Sequence, residues 1–344
     1  MQLPKLNLPL FIITAIGAVL RLVNIGYIPL PHMDETWTLS IAQYPTLQII
    51  VVSLLHDFNP PLYYLAAHLM VLIGGPTVLM IRIPSFIAGV LLIPVVYFIG
   101  LEVEDNQLGL ICAATVAILN QLIYFADYGR AYAMVGFVFA ITILAFIRIL
   151  KGKEDWIMFS VSGLIALYIH AFALVPLGLM VLYLLYLRLA RWKYLIGMSI
   201  GAVPFAVMMY TIAVVRPHAG YAARWDVWFW LVGVSTPLEL FGLAAPLCIV
   251  LIAYTLKRYY ARYDFPLIAI PLGTCLAAIG LSYFQLIYAE YVMLILPMFV
   301  VLAVVPISEW IKARNLNVVY PIVIFVVLQG LQLMWWWEQV YWGV

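Results

Sequence analysis

Ionisable residues are scarce in this chain, and those in its first half fall in a pattern suited to group transfer. Asp34 and Glu35 follow the first apolar run. His56, Asp57 and Asn59 precede Pro60-Pro61, and Tyr63 follows them. Arg82 opens a later apolar run, and Asp127 and Arg130 share the stretch Tyr124-Phe125-Ala126-Asp127-Tyr128-Gly129-Arg130-Ala131-Tyr132. His170 sits in Tyr-Ile-His-Ala-Phe, Arg216, His218, Arg224 and Asp226 share a polar stretch, and Glu290 precedes Tyr291. A carboxylate can take the proton of an attacking hydroxyl, an effect of typically ~10²–10⁴-fold. Guanidinium groups can hold a phosphate bidentately and stabilise the charge that builds on it as it leaves. Together these types suit transfer of a group from a lipid phosphate. Simpler roles compete at each position. Asp34 can cap a helix beginning at Glu35, and Asp57 and Asn59 can also be caps. Asp127 ahead of Gly129 can form a turn or pair with Arg130, and His170 can be a hydrogen-bonding structural histidine.

The elements that must position these groups are membrane helices. Of 344 residues, 67% are hydrophobic and 9% charged, against about 25% charged in an ordinary soluble domain. Such a chain cannot cover a globular surface with polar groups, so its outside must face lipid. A net charge of +2 without any basic run excludes a nucleic-acid partner. Cys112, Cys248 and Cys275 lie in apolar runs with no metal or disulfide spacing, and read as small buried hydrophobes. Apolar runs at 8–25, 81–101, 107–125, 131–149, 156–170, 171–188, 194–214, 229–255, 265–287, 291–310 and 317–337 predict an all-α polytopic bundle of about eleven spans. The first run is long enough to span and is not followed by a convincing cleavage site. The tryptophans and tyrosine of 335–342 form an interfacial belt.

A further apolar run, 61–74, is too short to span readily, and its tandem prolines suit a helix start. Charge bias decides its course. If it does not cross, Lys5, Arg148, Lys151, Lys153, Arg188, Arg191, Lys193, Lys257, Arg258, Arg262, Lys312 and Arg314 fall on one side, which the positive-inside rule makes cytoplasmic. Only Arg21, Arg82, Arg130, Arg216 and Arg224 fall on the other. If it does cross, the bias reverses. The expectation is therefore a cytoplasmic N-terminus and a long outer segment, 26–80, carrying interfacial helices near 35–55 and 61–74. Long ordered segments of this kind are usually functional, and here the carboxylates and arginines converge on that outer face.

These residues, in this order, resemble a known family. Asp34-Glu35, then His56-x-x-Asn59-Pro60-Pro61-Leu62-Tyr63-Tyr64, Arg82-Ile83-Pro84-Ser85 with Gly89, Asp127-x-x-Arg130-x-Tyr132-Ala133 and His170-Ala-Phe look like the GT-C glycosyltransferases. Within that superfamily the pattern is similar to the dolichyl-phosphate-mannose protein mannosyltransferases and the lipid A aminoarabinose transferases. The match covers about the first 190 residues, which would form the catalytic transmembrane module. Residues 191–344 match only as further helices with a late element from Tyr291 to Pro297, and no soluble domain is expected there.

The resemblance implies an integral-membrane enzyme with a polyprenyl- or dolichyl-phosphate-linked sugar donor, mannose being the favoured sugar, and an extracytoplasmic site. It implies Asp34 as catalytic base with Glu35 beside it and Asp127 as a second catalytic carboxylate. Arg130 would contact donor phosphate, and His56, Asn59, Tyr63, Tyr132, His170 and Glu290 would line the substrate site. Relatives often carry a basic residue or histidine where this chain has Asn59, and an arginine where it has Glu290. Phosphate contacts would then come also from Arg82, Arg216 or Arg224, with the loop 215–228 covering the donor. His32, Asp34, His56 and Asp57 could hold a divalent metal, but their spacing is no recognised ligand motif, so no cofactor is favoured. A transporter or flippase, or a non-catalytic binding subunit for lipid-linked sugars, is the competing class. No internal repeat or midplane charge supports a transporter.

Overall fold

The computed structural model describes residues 7–25, 33–57, 59–215, 245–259, 265–281 and 289–316, and among these every regular element is helical. In chain order they are α1 (Leu8–Ile25), α2 (Met33–Ala42), α3 (Thr46–His56), α4 (Pro61–Gly74), α5 (Val78–Val103), α6 (Asn106–Ile118), α7 (Asn120–Ala126), α8 (Tyr132–Leu150), α9 (Trp156–Ile169), α10 (Leu174–Tyr186), α11 (Trp192–Gly201), α12 (Val203–Val215), α13 (Ala245–Tyr259), α14 (Phe265–Leu281) and α15 (Leu296–Arg314). Short 3₁₀ turns, Ala171–Ala173 and Ala289–Ile295, lead into α10 and α15.

Local chemistry explains the helix starts. Pro61 opens α4, where a missing N–H costs nothing. The Thr77 side chain accepts from Met80 N–H to cap α5, and Asp105 accepts from Leu108 N–H at 3.0 Å to cap α6. The structure corrects the expected helix near 35–55: two helices stand there, parted at Gln43-Tyr44-Pro45, with Pro45 as the N-cap of α3. It also corrects the cap assigned to Asp34, which lies inside the first turn of α2.

The expected run 107–125 is broken as well. α6 and α7 meet at Leu119 with a 60° bend although no proline or glycine stands there. Arg21 of α1 supplies the cause. Its Nη1 donates to Ala117 O (3.0 Å) and Gly17 O (2.9 Å), and its Nη2 to Val116 O (3.1 Å). The carbonyls of Val116 and Ala117 would accept from residues 120 and 121 in a continuous helix. A buried guanidinium from another helix takes their place.

α5, α6 and α8 form the centre, with α1, α4, α9 and α15 packed around them. The apolar core runs through all of these, with Phe139, Phe146, Phe159 and Leu92 fully enclosed. Three described helical stretches are long and apolar enough to cross a membrane singly, or five if each bent pair counts as one span, and shorter apolar helices accompany them. The chain is thus an integral multi-pass membrane protein. The expected count of about eleven is not reached among the described residues; the runs at 229–244 and 317–337 lie outside them.

Helix direction creates two poles. α5 and α8 start at one pole, near Arg82 and Arg130, and end at the other, near Glu102 and Arg148. α6 starts at that second pole, where Tyr97 bonds Asn106 at 2.7 Å, and α7 returns to the first at Asp127. Both ends of α4 lie at the first pole: Tyr63 bonds Ile81 O (2.8 Å), and Gly74 abuts Met80.

Candidate active site

Asp34 and Glu35 are adjacent in sequence but meet opposite environments. Glu35 is fully buried. Its Oε1 accepts from Arg82 Nε and from Gly129 N–H, and its Oε2 from Arg82 Nη2, each at 2.7 Å. Arg82 closes the group by donating from Nη1 to Ile25 O at 3.0 Å. This bidentate pair ties α2 to α5, to the end of α1 and to the turn 127–131. Gly129 lets this approach happen without crowding, since a Cβ there would lie 3.0 Å from Glu35 Oε1 and 2.9 Å from Ile81 Cδ1. Arg82 was expected to meet donor phosphate. Its side chain is 3% exposed, with Nε and Nη2 on Glu35 and Nη1 on the Ile25 carbonyl.

Asp34 is 47% exposed. Arg130 Nε stands 3.7 Å from its Oδ2, and Tyr128 OH donates to the same oxygen at 3.4 Å. Arg130 Nη1 also reaches Thr38 Oγ1 at 3.5 Å, and Ser85 Oγ donates to the Arg130 carbonyl at 2.9 Å. A half-open carboxylate beside a largely enclosed guanidinium can accept a proton while the cation holds an anion.

Asp127 does not pair with Arg130. Its carboxyl is buried, and among the described residues neither oxygen has a hydrogen-bond partner. Burial pushes this carboxyl up to about 8, against the pull of Arg21 and Arg82. It is mostly protonated at neutral pH and lies withdrawn from solvent, an environment unlike that of the half-exposed Asp34.

His170 caps the 3₁₀ turn: its Nδ1 accepts from Phe172 N–H at 3.3 Å. Burial, and then the charge of Arg130, push the imidazole down to about 4, so it is neutral. Its ring lies 5.8 Å from Tyr132 and 4.8 Å from Tyr291, which brings the late element of the sequence to the same pole. Tyr132 also stacks on Tyr128 at 6.4 Å. The Tyr63 hydroxyl is buried on Ile81 O and Ser85 Oγ, both at 2.8 Å. Asn59 bonds Asp57 through N–H (3.3 Å) and Nδ2 (3.2 Å).

Asp57 and Tyr64 are the members that sequence reasoning underrated. Asp57 is buried and also accepts from Tyr64 OH at 2.6 Å and from Trp37 Nε1 at 3.1 Å. The pairing Asp57-x-Asn59-Pro60-Pro61 with an aromatic residue one turn into the next helix was the available signal. Arg216 and Arg224 lie outside the described residues, as do His32 and the side chains of His56 and Glu290. Among the described residues no three His, Cys, Asp or Glu side chains converge as a metal site.

No family model matches the chain, and no curated protein matches it at a significant level. Solved structures do match. ArnT from Cupriavidus metallidurans in the apo state aligns with a TM-score of 0.65 at 14% identity, over 88% of this chain and 61% of that one. ArnT bound to undecaprenyl phosphate gives 0.62 at 13% identity, over 86% and 59%. The apo oligosaccharyltransferase of Archaeoglobus fulgidus gives 0.57 at 13% identity, over 94% and 55%. The chain therefore spans about three fifths of the length of ArnT and little over half that of the oligosaccharyltransferase. At these identities the likeness is one of backbone architecture: the chain has the GT-C fold.

Proposed function

We propose that this chain is an inverting membrane glycosyltransferase. It moves a monosaccharide, with mannose the favoured candidate, from a polyprenyl-phosphate donor to a hydroxyl of a glycan, lipid or protein on the extracytoplasmic side. The observation that carries this is Asp34, half-exposed and 3.7 Å from Arg130, at one pole of a GT-C bundle. ArnT has been solved with undecaprenyl phosphate and the Archaeoglobus AglB with a dolichol-phosphate, which supports a lipid phosphate here. The segregation of Arg148, Lys153, Arg191 and Lys312 at the opposite pole favours that pole as cytoplasmic.

Asp34 takes the acceptor's hydroxyl proton as that oxygen bonds the anomeric carbon from the face opposite the phosphate. The bond from that carbon to the phosphate oxygen breaks, and its electron pair leaves with the polyprenyl phosphate. Phosphate is a stable anion, so departure needs little acid assistance. Arg130 holds it and offsets the charge that develops, and exposure of Asp34 lets the proton pass on to water. Arg216 and Arg224 are further candidates for phosphate contact. Glu35 and Arg82 position α2 and the Arg130 turn rather than touching substrate. Tyr132 and His170 form the wall behind Arg130. No metal takes part in this scheme.

Sugar transfer from a polyprenyl-phosphate donor by the purified chain in nanodiscs tests it, with and without chelator. Transfer surviving the chelator is expected. In sealed proteoliposomes, donor crossing the bilayer with no sugar released would instead identify a flippase, and donor bound but unreacted a binding subunit.

A further inference from the structure

We infer that Ser85 and Tyr63 are positioning residues that fix the Arg130 backbone, so that its guanidinium is held at the lipid-phosphate site. This rests on the function proposed above and extends it to two residues outside the reacting groups. Arg130 stands in the short non-helical stretch between α7 and α8, where main-chain groups must find partners beyond a helix. Gly129 N–H donates to Glu35 Oε1 at 2.7 Å, Arg130 N–H turns back to Tyr128 O at 2.7 Å, and Arg130 C=O accepts from Ser85 Oγ at 2.9 Å. The middle contact only closes a three-residue turn. The other two fasten that turn to α2 and α5, one on each side of the Arg130 N–H.

Tyr63 decides where the Ser85 proton goes. A serine inside a helix readily donates to the carbonyl four residues back, which for Ser85 is Ile81 O. The Tyr63 hydroxyl already donates to that carbonyl at 2.8 Å and lies 2.8 Å from Ser85 Oγ. Each hydroxyl brings a single proton. With the Tyr63 proton shared between Ile81 O and Ser85 Oγ, the Ser85 proton is left for the Arg130 carbonyl. Ser85 and Tyr63 are both buried, so water does not compete for these bonds. Arg130 is thereby held by its main chain, which uses none of the side-chain charge that phosphate requires.

Affinities of the full chain in nanodiscs for undecaprenyl phosphate and for the uncharged undecaprenol test this, with sugar transfer read separately. Ser85→Ala should weaken binding of the phosphate by about fivefold and leave the alcohol within about twofold. Tyr63→Phe frees Ile81 O to take the Ser85 proton and should give a phosphate-selective loss of about threefold. It keeps every ring carbon in place, and it carries the test if Ser85→Ala does not fold. Combining the two should add less than about twofold to Ser85→Ala alone, because Tyr63 acts through Ser85. No loss for the phosphate, equal weakening of both lipids, or full additivity would overturn the inference. A phosphate-selective loss in a chain that transfers no sugar would retain the positioning and overturn the function. A wild-type chain that binds the phosphate no better than the alcohol would overturn both.

Discussion

The two poles of the bundle use the same residue types in opposite ways. At the far pole the charges are paired near water: Lys312 with Glu104 and Asp105, Lys153 with Glu102 at 2.6 Å, Arg148 with Asp155 at 2.8 Å, and Arg191 with Glu154 at 2.6 Å. Each such pair contributes at most about 1 kcal/mol. At the site pole Glu35, Asp57, Arg21 and Arg82 are all withdrawn from solvent, and Asp34 with Arg130 is the pair left partly open. Withdrawing charge costs several kcal/mol per ion, and a well-packed apolar set of the same volume would often serve stability equally well. A chain this poor in charge has concentrated its costly groups at one pole, around the partly exposed Asp34 and Arg130, as a reaction site requires.

The sharpest way to break this contrast is to remove one carboxylate from each pole. Glu35→Ala leaves Arg82 buried without its carboxylate and should destabilise the chain by about 3–5 kcal/mol. Glu104→Ala should cost no more than about 1 kcal/mol. Thermal melting of the two variants in the same detergent measures the difference. Equal shifts would mean that the poles do not differ as described.

Gly129→Ala is the next largest. The added methyl presses on Glu35 Oε1 and Ile81 Cδ1, so an overpacking cost of about 1–3 kcal/mol is expected. Because the turn also carries Arg130, weakened lipid-phosphate binding should accompany the lower melting temperature.

An effect spread over several pH units concerns Asp127. Its carboxyl titrates near 8 in the folded chain, above the ordinary carboxylate range. Between about pH 4 and pH 8 the native state keeps a proton that the unfolded state has released. Stability should therefore fall as pH rises through that window and level off above it, by on the order of 1 kcal/mol per pH unit at most. Asp127→Asn should flatten this slope and raise stability near pH 8. An unchanged slope would place the Asp127 proton elsewhere.

Much of this was legible before the structure. The order Asp34-Glu35, Asn59-Pro60-Pro61, Arg82, Asp127-x-x-Arg130 and His170 marks residues that do meet at one pole, and composition dictates a helical membrane bundle. Pro45 also carried a visible sign of the break between α2 and α3. Other features carried none. Which of two adjacent carboxylates is buried depends on Arg82, 47 positions away, and helix packing makes that contact. The bend at Leu119 comes from Arg21 binding carbonyls more than 90 positions away. Asp127 and Arg130 look like a pair by spacing, yet the turn sends one inward beneath the site and the other outward to Asp34. Asp57 looked like a helix cap because its donors Trp37 and Tyr64 lie on different helices.

The central claim is that Asp34 serves as the base for transfer from a lipid phosphate, and Asp34→Asn in the purified chain tests it most directly. Sugar transfer should fall by about 10²-fold or more, while affinity for undecaprenyl phosphate stays within about threefold. Transfer at the wild-type rate by the Asn variant would contradict the account.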